Sequence, residues 1–174
     1  MKDKENEIQK VCGFYVNDWH FTTMILPYVR KEIEGNKKVI TFFQESMKAK
    51  VEEMLSKMNL NKTFEKKILE MNWNKAKKEE MELEKENTYI KSVKEDNQTI
   101  DILVKGDNEF IDTINKKIET VRNELGRKTK ITIINFYDLS KNREINPITK
   151  KHEYVMNTAG TQRIEKETKT EKEA

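Results

Sequence analysis

At 174 residues the chain has the length of one ordinary domain. Its charged share, 37%, exceeds its apolar share, 35%, yet 34 Lys and Arg against 31 Asp and Glu leave only +3. That near-balance is not the one-signed composition of a typical nucleic-acid binder. A single cysteine, Cys12, excludes an internal disulfide and a cysteine-rich zinc site, and two histidines, His20 and His152, are too few for a histidine-based metal cluster without carboxylates.

Residues 1–8 are charged and expected to be disordered. The opening Met1-Lys2-Asp3-Lys4-Glu5 has no leader character, and no apolar run approaches the roughly 20 residues of a membrane span, so a cytoplasmic protein without a membrane partner is expected. The apolar run Val11-Cys12-Gly13-Phe14-Tyr15-Val16 predicts a first strand over about 10–16. Asn17 or Asp18 can cap the helix that follows, by accepting hydrogen bonds from its free amides. Within it Phe21, Met24, Ile25, Tyr28, Val29 and Ile33 recur at helical spacing, so one face is apolar. Pro27 lacks an amide, and a kink or break is expected near Met24–Pro27. Gly35 is the natural stop, and Val39 to Phe43 predicts a second strand covered on both faces. A strand, a helix and a strand in that space suit a βαβ crossover with the two strands side by side and parallel. This commits the domain to a layered α/β architecture.

Met47, Val51, Met54, Leu55 and Met58 predict a second helix whose methionine face belongs to the core. Asn59-Leu60-Asn61 breaks it from a third, with Phe64, Ile68, Leu69 and Trp73 inward. Residues 74–87, almost all Lys and Glu, read as a solvated linker or insert. Two runs, 88–93 and 99–104, flank a turn and suggest a hairpin. Asp107 caps a helix carrying Phe110, Ile111, Ile114, Ile118, Val121 and Leu125, which Gly126 ends. Ile131 to Tyr137 is the most β-prone run and predicts a central strand. A polar loop from Ser140 to Lys151 and a short strand over about 153–156 follow. Residues 161–174 read as a disordered Lys/Glu/Thr tail, which leaves 9–160 as one α/β domain.

Chemistry is harder to read. A phosphate-binding loop needs glycine and a Lys-Ser or Lys-Thr pair after the first strand. The turn here is Asn17-Asp18-Trp19-His20-Phe21, and Asp18 is expected to repel an anion. Ligands in open α/β sheets bind at the carboxyl ends of the strands, so Asn17, Trp19, His20 and Asp138 are the candidate ligand-binding residues. The ordinary alternative has Trp19 packed under a loop and His20 facing solvent. Asp18, His20 and Asp138 together would suit a metal-dependent hydrolase or nuclease if they converged, but nothing in their spacing demands a metal or a catalytic role, and no cofactor is implied. Cys12 reads as a buried thiol, with a redox or ligand contact as its functional alternative. Lysines 62, 66, 67, 75, 77 and 78 would serve a nucleic-acid accessory protein, but Glu65, Glu70, Glu79 and Glu80 interrupt them, and nucleic acid is not the expected partner.

The order of these pieces resembles the DcmR-type sensory domain family known as MEDS. The resemblance rests on Cys12-Gly13-Phe14-Tyr15, Leu26-Pro27-Tyr28, Glu34-Gly35 and Lys38-Val39-Ile40-Thr41-Phe42. It continues through Ile100-Asp101-Ile102-Leu103, Ile131 to Phe136 and His152-Glu153-Tyr154-Val155, and so spans most of 9–160. The chain departs at Lys10, where the family commonly has histidine, and at the Lys/Glu insert. The resemblance implies a three-layer RecA-like domain, with a mostly parallel central sheet flanked by helices, that has lost its phosphate loop. It also implies a signal-sensing or regulatory role. With no output module in these residues, the signal is expected to pass to a protein partner such as a sensor kinase or transcription regulator. A small-molecule ligand and a second copy of the chain are the other expected partners.

Overall fold

The computed structural model describes residues 8–35, 38–77, 99–122 and 130–165. Six strands form one sheet: β1 (Gln9–Tyr15), β2 (Lys38–Phe43), β3 (Thr99–Lys105), β4 (Lys130–Asp138), β5 (Tyr154–Asn157) and β6 (Gly160–Arg163). The helices are α1 (Asp18–Glu34), α2 (Lys48–Lys57), α3 (Lys62–Glu70), α4 (Asn108–Arg122) and the single turn α5 (Asn146–Thr149). The strand order is β2-β3-β4-β1-β5-β6. Every pairing is parallel except β5 with β6.

Successive side chains of a strand point to opposite faces, and here each face meets its own helices. Val11, Tyr15, Phe43, Leu103, Ile134 and Phe136 pack with Phe21, Ile25 and Val29 of α1, Val51 and Leu55 of α2 and Ile68 of α3. On the other side Cys12, Ile40, Phe42, Ile102, Val104 and Ile133 pack with Ile111, Ile114 and Ile118 of α4 and Ile148 of α5. The result is the expected three-layer α/β domain with a mostly parallel sheet.

Several local expectations change. β1 and β2 are parallel and share the sheet, but they are not side by side as expected: β3 and β4 lie between them, and the α1 crossover passes over both. Pro27 does not break α1. It lies on the exposed face with Thr23, the residue whose carbonyl it leaves without an amide partner. β3 forms no hairpin, because β2 and β4 occupy its two edges; residues 88–93 lie outside the described residues. Residues 161–163 belong to β6, although every residue of that strand is exposed. Backbone pairing alone holds it, after a turn in which Gly160 adopts a φ of 126° that other residues rarely tolerate. The core reaches the start of the charged segment: Trp73 and Ala76 are buried, and Phe43 bridges to Lys75. Residues 78–87, Leu125, Gly126 and 166–174 fall outside the described residues.

Candidate functional site

The chain leaves β1 and β2 toward the α1–α3 layer and leaves β3 and β4 toward the α4–α5 layer. Neighbouring strands whose connections part to opposite faces open a crevice at their carboxyl ends. Here β4 parts from β1, and β3 from β2. A single cleft of about 520 Å³ covers both places, and its walls come from all four strand ends. Tyr15 ends β1 and Asn17 and Asp18 follow it, Gln44 and Glu45 follow β2, Lys105 ends β3 and Gly106, Asp107 and Asn108 follow it, and Asp138 ends β4 with Lys141 and Asn142 beyond, while Lys50 reaches in from α2.

The floor is an ionic cluster on Asp18. Lys50 Nζ lies 2.5 Å from one carboxylate oxygen and Lys105 Nζ 3.0 Å from the other. Lys105 is 8% exposed, and its ammonium sits 4.7 Å above the Tyr15 ring and 5.3 Å above the Phe21 ring. A buried ammonium is costly unless paired, so the carboxylate and the ring faces are what hold it there. Partial burial opposes the charge on Asp18, but hydrogen bonds from Lys50 and Lys105 and their positive charge outweigh it and set its titration below the ordinary carboxylate range. The Tyr15 phenol is pushed upward, first by burial and then by the negative charge of Asp138, Asp18 and Glu45.

The walls are locked by amide pairs. Gln44 donates to the Asp107 carboxylate at 2.9 Å and accepts from the Asp107 amide at 2.7 Å. Asp107 also caps α4 by accepting from the Phe110 amide at 2.8 Å, as its sequence position predicts. These bonds, Gln44 first, lower its titration. Asn108 and Asn142 exchange hydrogen bonds across the β3 and β4 ends. Gly106 is fixed by crowding: an added Cβ would lie 2.6 Å from Phe110 and 2.7 Å from the Gln44 side-chain oxygen. Asp138 turns one oxygen to the Ser140 amide and hydroxyl.

The candidate residues are partly gathered. Asn17 and Asp138 line the cleft, and Asn17 caps α1 by accepting from the His20 amide at 2.8 Å. Trp19 and His20 are not among its lining residues. His20 Nδ1 instead accepts from the Val16 amide at 3.1 Å. Trp19 is 37% exposed, with the Lys57 ammonium 5.1 Å over its ring, so no loop covers it. Asp18 and Asp138 meet at the cleft, but among the described residues no group of three or more His, Cys, Asp and Glu is arranged to hold a metal ion. Cys12 is fully buried, its thiol facing the Tyr154 carbonyl at 3.6 Å, and burial pushes it up to about 11. The chain matches no protein-family model, no curated protein and no solved structure.

Two features escaped the sequence reading. One is the pair Lys105 and Lys50, which no sequence motif marks. A second polar cluster lies buried under α4, where Asn115 and Asn135 exchange hydrogen bonds at 2.8 and 3.0 Å. The Asn135 amide nitrogen also lies 3.0 Å from His152 Nε2, and His152 Nδ1 lies 2.6 Å from the Ile148 carbonyl. At the amino-terminal ends of the strands a smaller hollow of about 180 Å³ is lined by Tyr28, Glu32 and Asp101 among others, with the Tyr28 hydroxyl donating to Asp101. No helix among the described residues is long and apolar enough to cross a membrane.

Proposed function

We propose that this chain is a non-enzymatic, cytoplasmic signal-sensing or regulatory domain that acts through a protein partner and takes a small ligand in the strand-end cleft. The observation that carries this reading is the occupant of the first βα turn. A nucleotide-using α/β enzyme places bare backbone amides and a phosphate there. In this chain the Asp18 carboxylate lies across two lysines in the same place. The Asp18 carboxylate occupies the two lysines that a phosphate would otherwise contact, and a polar cleft of ligand size lies beside it. The RecA-like resemblance without a phosphate loop supports the same reading. So do Val16, 57% exposed, and Trp19: apolar surface in the turn that carries Asn17 and Asp18, placed where a partner could sense the cleft.

The test pairs two measurements on the purified chain. Affinity capture from the source cell should yield a stoichiometric protein partner, a sensor kinase or transcription regulator on this reading, whose complex re-forms from pure components and weakens with Trp19→Ala. Nucleotides and phosphodiesters supplied with Mg²⁺ or Mn²⁺ should not turn over. Turnover abolished by Asp18→Asn or Asp138→Asn would overturn the reading in favour of a metal-dependent hydrolase or nuclease.

A further inference from the structure

Two ammonium groups from separate elements, Lys50 of α2 and Lys105 of β3, converge on the two oxygens of one carboxylate at the floor of the cleft. A single ion pair would satisfy Lys105. The second lysine leaves the trio with one net positive charge beside an open volume of about 520 Å³. Asp18 has 30% of its side chain exposed, and Lys50 43%, so both partners of that pair remain within reach of solvent in the cleft. Lys105 cannot retreat, because its stem is buried and its ammonium is held over the Tyr15 and Phe21 rings.

We infer that the lysine pair is a binding site for the oxyanion head of a small ligand, a phosphate or carboxylate group, and that Asp18 is the internal carboxylate that this head group displaces. The inference rests on the regulatory reading above and names the ligand class for the same cleft. The rest of the lining limits that class. Asp107 is committed to capping α4 and to Gln44, Asp138 holds Ser140, and Glu45 and Lys141 complete the charged lining. Three carboxylates against the single Lys141 ammonium leave the rim net acidic, which repels a polyanion and suits one anionic head on a neutral or cationic body. A fixed internal carboxylate also makes affinity low and adjustable, because the ligand gains only the difference between its own contacts and those of Asp18. Asp18 belongs to the turn that exposes Val16 and Trp19, so its displacement would be reported at that surface.

The test uses the full chain with inorganic phosphate and acetate as separate probes, followed by calorimetry and by amide chemical shifts. Wild type should bind one probe weakly, with shifts at Asn17 and at Lys105 to Asn108. Removing the internal carboxylate with Asp18→Asn should tighten binding about tenfold or more, and adding Lys105→Met should abolish the gain. Asp18→Ser, which suits a helix start, is the second variant if Asp18→Asn proves unfolded. Preference for phosphate or for acetate assigns the head group. Three results overturn the inference: no cleft shifts in wild type with either probe, no gain from removing Asp18, or a gain that survives loss of Lys105. Any of them leaves the partner-docking reading standing, whereas metal-dependent turnover would remove that reading and leave anion binding intact.

Discussion

Replacing Asn135 with leucine isolates what the buried amide cluster contributes. Asn135 is 1% exposed, in the middle of β4, and its amide nitrogen serves Asn115 Oδ1 and His152 Nε2. The Asn115 nitrogen also donates to the Ile111 carbonyl, which fixes the orientation of that amide and therefore of Asn135 opposite it. His152 Nε2 is then an acceptor, and the ring proton sits on Nδ1, donated to the Ile148 carbonyl. Leucine keeps the volume, so no large cavity opens, but two buried acceptors lose their donor. Each such loss costs about 1–3 kcal/mol, so Asn135→Leu should destabilise by about 2–6 kcal/mol. Against a total stability of about 5–15 kcal/mol that is a large fraction. In urea, with a slope of about 1–3 kcal/mol per molar, the unfolding midpoint should fall by about 1 M or more. Adding Asn115→Leu to that variant removes one stranded acceptor, so the double variant should be more stable than the sum of the two single losses. Additivity within about 0.5 kcal/mol, or a neutral Asn135→Leu, would refute the reasoning.

Gly106→Ala should cost about 1–3 kcal/mol, because its new carbon meets Phe110, Gln44 Oε1 at 2.7 Å and Gln44 Cβ at 2.9 Å; an unchanged melting profile would show that the β3–α4 turn yields freely. Asp18 titrates below its unfolded value, so its contribution is fully present above about pH 4 and disappears as pH falls through the lowered folded value. The stability gap between wild type and Asp18→Asn should therefore narrow on acidification; a gap that widens toward low pH contradicts the lysine cluster. Cys12, buried and pushed up to about 11, should resist a thiol reagent at pH 8 in the native protein and react at once in denaturant. Rapid native labelling would mean that β1 and β5 open locally.

The elements that could be read from the chain are those whose burial leaves a period in it. α1 and α4 each place a full apolar stripe on the sheet, and β4 is buried along nearly its whole length, so their composition announces them. β6 has no buried face and is held by backbone bonds to β5, which leave no trace in Gly160-Thr161-Gln162-Arg163. Asn135 inside an apolar strand and Asn115 inside an apolar stripe look like blemishes until their partners are known. Asn17, Asp18 and Asp138 could be placed at the cleft because they follow predicted strands directly. Lys50 and Lys105 could not, since a lysine on a helix face or at a strand end is ordinarily solvated.

Strand order explains why no contiguous motif marks the site. Had β2 lain beside β1 in the sheet, both connections would have left toward the same layer and no crevice would open between the two strands. Because β3 and β4 enter between them, the floor under Asp18 is supplied by Lys105, 87 positions further along the chain, and the far wall by Asp138 and Asn142. The insertion also sets strands whose connections leave toward one layer beside strands whose connections leave toward the other, which opens the crevice in the first place. The separation of β1 from β2, the breadth of the cleft and the seating of a buried lysine beneath a first-turn carboxylate are therefore consequences of one topology. A substitution that disturbs the β3–β4 pairing should loosen Lys105 and Asp138 together, while one confined to the β1–α1 turn should reach Asp18 alone.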